Sequence, residues 1–228
     1  IAGNDQLLVI LVAMTLYTLA INLTASLGLY WFKYDVGDEG LYGTFYLTAA
    51  AQVLAMVVFP AFAKWFSRRK VFILSAMLPI VGYVSLYVIG KTSGDGIALM
   101  AVAGVVLFFG FGFSLVLTSV MLADAVDYGE WKLGVRSESI VFSMQTFMVK
   151  FAMALSGLVT GLGLAAFGFV ANAAQSAGAV TGIRLLMFAV PMALIVVSLV
   201  VYLRGYRLNG AYFEAIKAEL AERRTHHA

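Results

Sequence analysis

The chain has 228 residues, 62% of them hydrophobic and only 12% charged, with a mean hydropathy of +0.95 and a formal net charge of +3. Soluble domains carry about 25% charged residues, so the composition excludes a water-soluble globular protein and indicates an integral membrane one. Cysteine is absent, which removes disulfide and thiolate chemistry. The basic residues flank apolar runs, so the small positive charge gives no nucleic-acid signal.

Charge-free or nearly charge-free stretches predict six spans, at about residues 6–32, 40–63, 71–90, 96–123, 139–168 and 184–203. Each is long enough to cross a hydrocarbon core about 30 Å thick as a helix. A β-barrel would show short alternating segments instead, and none is present. The expected fold class is therefore an all-α membrane protein: a bundle of six transmembrane helices over residues 1–208, followed by a tail over 209–228. The first residue is not Met and no basic stretch precedes the first span, so the start reads as a cut from something longer rather than a signal peptide.

Along the first span Thr15, Thr18, Asn22 and Ser26 recur in helical register, and along the second Thr44, Thr48 and Gln52 follow at four-residue steps. The fourth adds Ser114 and Thr118, whereas the third and sixth carry no such stripe and suit a lipid-facing scaffold. Any single Ser or Thr in a membrane helix commonly bonds back to its own turn. Several stripes together predict a central hydrophilic cavity. Pro60, Pro79 and Pro191 lie inside spans, where such prolines are tolerated, and the glycines between Phe108 and Ser114 predict tight packing or a flexible section.

The fifth span contains one charge, Lys150, about 16 Å from its start and so near the membrane midplane. A lysine there costs roughly 2.5–3.5 kcal/mol and calls for a partner charge or a wet cavity; snorkelling to an interface would be a long reach. Ser139, Ser143, Thr146, Lys150, Gly157 and Gly161 fall within roughly 40° of one line on that helix. Gln145 lies about 140° from Lys150, on another face. All twelve acids lie at or beyond the span ends, so none stands at the depth of Lys150.

Six spans put both termini on one side. Eleven Lys and Arg fall there, against Lys33, Lys91 and Arg184 opposite, which predicts cytoplasmic termini. Beyond Asn209 and Gly210 the tail reads as a short helix with an i,i+4 pair between Glu219 and Arg223. His226 and His227 at its end carry no metal reading. After the fourth span Asp124, Asp127 and Glu130 stand three residues apart and would share one side of a continued helix. Such acids suit a divalent cation or acid/base pairs, but no nucleophile or metalloprotease pattern accompanies them, so an enzyme is not expected. A charge network with Arg136, Lys132 or the basic second loop fits better, formed in one conformation and broken in another.

These residues also carry a resemblance. The run through Ala123, Asp124, Asp127, Tyr128, Gly129, Glu130 and Lys132, followed by Arg136, Glu138, Gln145, Thr146, Val149 and Lys150, resembles the loop and eleventh helix of the glycoside–pentoside–hexuronide:cation symporters. Gly3 to Leu7, Lys64 to Lys70 and Tyr202 to Gly210 are similar as well, so the resemblance spans nearly the whole chain. It implies the C-terminal half of a major facilitator superfamily fold. It implies that Lys150, Thr146, Gln145, Val149 and Asn22 border the substrate, with Lys150 also serving coupling. It further implies that Asp124, Asp127, Glu130, Arg136 and Glu138 form a cytoplasmic gate. Leu115 stands where a galactoside carrier of the family has a tryptophan near the sugar, which weakens any implication of a galactoside.

The expected function is secondary transport of a sugar or glycoside coupled to Na⁺, Li⁺ or H⁺ by alternating access. The expected partners are the substrate, membrane lipid and the N-terminal six-helix half of the same transporter, without nucleic acid. No cofactor or resident metal is expected, the coupling cation being held mainly on the N-terminal half; the location is the plasma (inner) membrane. The alternative is a six-span accessory or scaffold subunit without transport of its own.

Overall fold

The computed structural model describes residues 3–90 and 96–226; Lys91 and His227 lie outside the described residues. Among them six helices are long and apolar enough to cross a membrane: α1 (Asp5–Val36), α2 (Gly40–Trp65), α3 (Arg68–Ile89), α4 (Ile97–Leu133), α5 (Glu138–Ala166) and α6 (Ala177–Gly205). A seventh, α7 (Gly210–His226), forms the tail. No strand is present among the described residues, as a backbone in lipid requires of an open bundle, because every peptide group must be bonded within its own segment.

Local chemistry sets the helix ends. Asn4 caps α1, its side-chain oxygen accepting from the Leu7 N–H at 2.9 Å, while its Nδ2 donates to the Ala125 carbonyl of α4 at 2.8 Å. Gln6 then ties α1 to the end of α6, accepting from the Arg207 N–H at 2.7 Å and donating to the Gly205 carbonyl at 3.3 Å. The Asn-Asp-Gln opening is thus a three-helix stitch. α4 runs about ten residues past its apolar stretch and stops at Gly134, where φ is +73°. Its acids therefore stand on helix, not in a loop.

α6 begins at Ala177, capped by Ser176, and Arg184 lies inside it instead of in the preceding loop. The charge is tolerated because Asp35 at the end of α1 meets it with two parallel bonds, Nε to Oδ2 at 2.8 Å and Nη2 to Oδ1 at 2.6 Å. The Trp31 indole N–H donates to the same carboxylate at 2.9 Å. Both elements widen into π-helical turns beside this pair, at Phe32–Val36 and Leu185–Ala189, the second just ahead of Pro191.

Packing reveals an internal symmetry. α1 packs on α5 and α6, α4 packs on α2 and α3, α1 touches α4 and α3 touches α6. Exchanging 1 with 4, 2 with 5 and 3 with 6 leaves that pattern unchanged. The chain is two intertwined three-helix repeats, inverted because three is odd. The central α1 and α4 are the most buried spans and α2 and α5 the least. The glycines of α4 serve contact: a Cβ at Gly112 would stand 2.4 Å from the Gln52 carbonyl oxygen, and one at Gly110 would stand 2.4 Å from Pro79 Cδ. Of the two readings of that cluster, the structure gives tight packing.

The Asp35 side chain is 5% exposed and that of Arg184 34%. Arg184→Gln is expected to destabilise the protein by about 2–3 kcal/mol, because it strands a buried carboxylate. Asp35→Asn combined with Arg184→Gln should recover part of that loss, as read by thermal unfolding in detergent.

Candidate functional site

The five residues expected to border a substrate lie on α1 and α5, which run side by side in the same direction. Met144 and Met148 of α5 share an apolar groove of about 230 Å³ with Leu11 and Thr15 of α1. That register sets Lys150 beside the middle of α1, about 18 Å along α5 from Glu138. Lys150 and Thr146 are exposed, while Gln145, Val149 and Asn22 are half-buried. Among the described residues Lys150 makes no ion pair.

α5 buries Val141, Ala152, Ser156, Thr160 and Leu164 against the bundle. Its polar stripe lies on the other side: Ser139, Ser143, Thr146, Lys150, Gly157 and Gly161 are all exposed. A Cβ added at Gly157 or Gly161 would meet nothing within 4 Å, so these glycines approach no helix of this chain. Ile140, Phe147, Phe151, Leu158 and Leu162 flank the stripe as an exposed apolar line. On α1, Thr15, Thr18, Asn22 and Ser26 are half-exposed, and the Asn22 Nδ2 is buried without a hydrogen-bond partner. Both stripes are left exposed or half-exposed by the described residues.

The other stripes go elsewhere. Ser114 and Thr118 are buried within the bundle, and Thr48 and Gln52 are half-buried, with Thr48 packed on Gly104 of α4 and bonded to its own Phe45 carbonyl at 2.6 Å. Small polar residues here serve helix contact, not a cavity. Thr15 and Thr146 also bond back, to Leu11 at 2.7 Å and Phe142 at 3.1 Å. Leu115 is 38% exposed on the far turn of α4 from Ser114's buried side.

The three acids of α4 do not act as one group. Asp124 is 6% exposed and bonds the Arg68 guanidinium of α3 and the Tyr206 hydroxyl, the latter at 3.2 Å. Asp127 and Glu130 have other partners: Arg136 donates to both at 2.9 and 3.0 Å and reaches Glu138 at 3.3 Å. Lys132 pairs with Asp5 instead. Among the described residues no group of three or more potential ligands is placed to hold a metal ion, and arginines meet the carboxylates of the trio.

Sequence reasoning missed one member. Arg224 of α7 bonds Glu130 through Nε at 3.1 Å and lies 3.5 Å from Asp127. The bonds to Glu130 and then Asp127 raise the Arg136 pKa, and the bond to Glu130 raises that of Arg224. Phe213, Ile216 and Leu220 seat α7 by burial, and Glu219 accepts from the Trp131 indole at 2.7 Å. The i,i+3/i+4 spacing of those three apolar residues was the available signal.

The profile of the family described as "MFS/sugar transport protein" matches residues 1–210. The chain is 39% identical to the isoprimeverose transporter of Lactiplantibacillus pentosus over 78% of this chain and 36% of that protein. It is 29% identical to the raffinose carrier protein of Pediococcus pentosaceus over 96% of this chain and 34% of that one. An uncharacterised symporter of Bacillus subtilis is 28% identical over 89% of this chain and 43% of its own length. The chain belongs to this major facilitator family of membrane sugar transporters, among its glycoside–pentoside–hexuronide symporters. It spans less than half the length of these relatives.

Because Arg136 and Arg224 share two carboxylates and are both half-exposed, Arg136→Gln and Arg224→Gln should each lower the melting temperature only slightly. The double variant should lose more than the sum of the two. Thermal unfolding of the four-member cycle reads this; strict additivity would show that the two arginines act separately.

Proposed function

We propose that this chain is the C-terminal half of a cation-coupled sugar symporter, with its open α1/α5 face turned toward an N-terminal six-helix half. The observation that carries the reading is Lys150: a cation midway along an apolar helix, exposed on a polar stripe, with no ion pair among the described residues. Leaving such a charge in hydrocarbon is costly. Carboxylates on the other half, competed for by Na⁺, Li⁺ or H⁺, would neutralise it and link cation binding to the charge beside the sugar. Thr146, Gln145, Val149 and Asn22 then border the sugar, and the unsatisfied Asn22 amide has a donor to offer a hydroxyl. The eleven-to-three cation bias supports cytoplasmic termini in the inner membrane. Asp124, Asp127, Glu130, Arg136 and Glu138 then work as a cytoplasmic gate whose pairs form in one state and part in another. The two halves rock about the midplane site.

The test is sugar uptake by the full-length transporter carrying Lys150→Val, in Na⁺, Li⁺ and H⁺ media, with isoprimeverose and raffinose among the sugars tried. Cation-stimulated accumulation should fall at least tenfold with the protein still present in the membrane. Accumulation at the wild-type level would remove Lys150 from coupling.

A further inference from the structure

At the tail end of the bundle the start of α3 and the link between α6 and α7 enclose a pocket of about 490 Å³. One wall is apolar, from Phe66 and Leu208, and another is cationic, from Arg68 and Arg69. Arg68 is committed to Asp124. Arg69 is not: together with Lys64 and Lys70 it is exposed and makes no ion pair among the described residues. The first turn of α3 holds no acid, and Glu214 at the rim is paired with Lys217 at 2.7 Å. Arg69 thus lines the pocket as an uncompensated cation, with Lys64 and Lys70 close to it in sequence.

Its surroundings say what kind of anion fits. Trp65 is 85% exposed and Phe66 45% exposed beside the cations, at the end of a membrane helix. Tryptophan so placed sits at headgroup level. A soluble anion would use only the charged wall. A phospholipid uses both, its phosphodiester against Arg69, Lys64 and Lys70 and the start of its chains against Phe66 and Leu208.

We propose that this pocket binds the headgroup of an acidic phospholipid of the cytoplasmic leaflet. The leaflet rests on the orientation given under the proposed function; the binding itself does not. Each cation near an acidic surface contributes a factor of about five, screened by salt.

The experiment is native mass spectrometry of the full-length transporter in detergent, offered phosphatidylglycerol or phosphatidylcholine. The wild type should retain phosphatidylglycerol preferentially. The combined variant K64Q/R69Q/K70Q should lose at least tenfold of that retention, whereas K64R/R69K/K70R should keep it. Equal retention by the charge-removed variant would overturn the proposal, as would displacement of the lipid by millimolar inorganic phosphate, which would mark a soluble-anion site. Labelling of Lys64→Cys by an impermeant maleimide in intact cells, in an otherwise cysteine-free protein, would overturn the leaflet. Lipid retention is read without transport, so failure of the Lys150 test leaves it standing.

Discussion

Taking a carboxylate out of water costs several kcal/mol unless a cation meets it with good geometry. Two carboxylates here are met in the same way at opposite ends of the bundle. Asp35, at the end of α1, holds Arg184 near the start of α6; Asp124, toward the end of α4, holds Arg68 at the start of α3. Exchanging the repeats turns one pair into the other. Each also accepts from an aromatic donor, Trp31 in the first case and Tyr206 in the second. The inverted repeat is thus fastened at both membrane faces by one device, in which the first helix of a repeat is pinned to the third helix of the other.

That fastening determines which surfaces stay free. With α3 and α6 held against the central helices, α2 and α5 are left at the margins and are the least buried spans. The marginal position of α5 is what exposes its polar stripe, because the side buried against the bundle is already filled by Val141, Ala152 and Ser156. The interior needs no cavity of its own: Trp31, Tyr83, Tyr202 and Phe111 fill it, and Tyr17 and Tyr83 are satisfied by the Ser75 carbonyl and Thr24.

Much of this was legible in the residues, and the failures share a cause. Counting uncharged residues finds the helices, but it treats every charge as an end. Arg184 and the acids of α4 sit within helices because ion pairs neutralise them, and no single stretch of sequence displays a partner on another helix. The stripe of α5 could be read because it contains a lysine and keeps register over six positions. Ser114 and Thr118 were read toward a cavity and are buried instead, since small polar residues suit a helix contact as well as a cavity. The pairing of Arg224 could not be read from its short helix because its carboxylates lie about ninety residues away.

Lys150 departs from the rule that the other intramembrane charges obey. Asp35, Asp124, Arg68 and Arg184 all find a partner between repeats of this same chain. Lys150 stands deeper than any of them, on a helix whose neighbour at that level is α1, and α1 offers only Thr15, Thr18 and Asn22 on the shared face. A hydroxyl or amide can solvate an ammonium but cannot cancel its charge in a medium of low dielectric. The fold could have buried this residue beside an acid and did not. A cation left unneutralised by its own bundle is free to be neutralised conditionally, by a group whose charge depends on what else is bound. That is the difference between Lys150 and the four charges paired between the repeats.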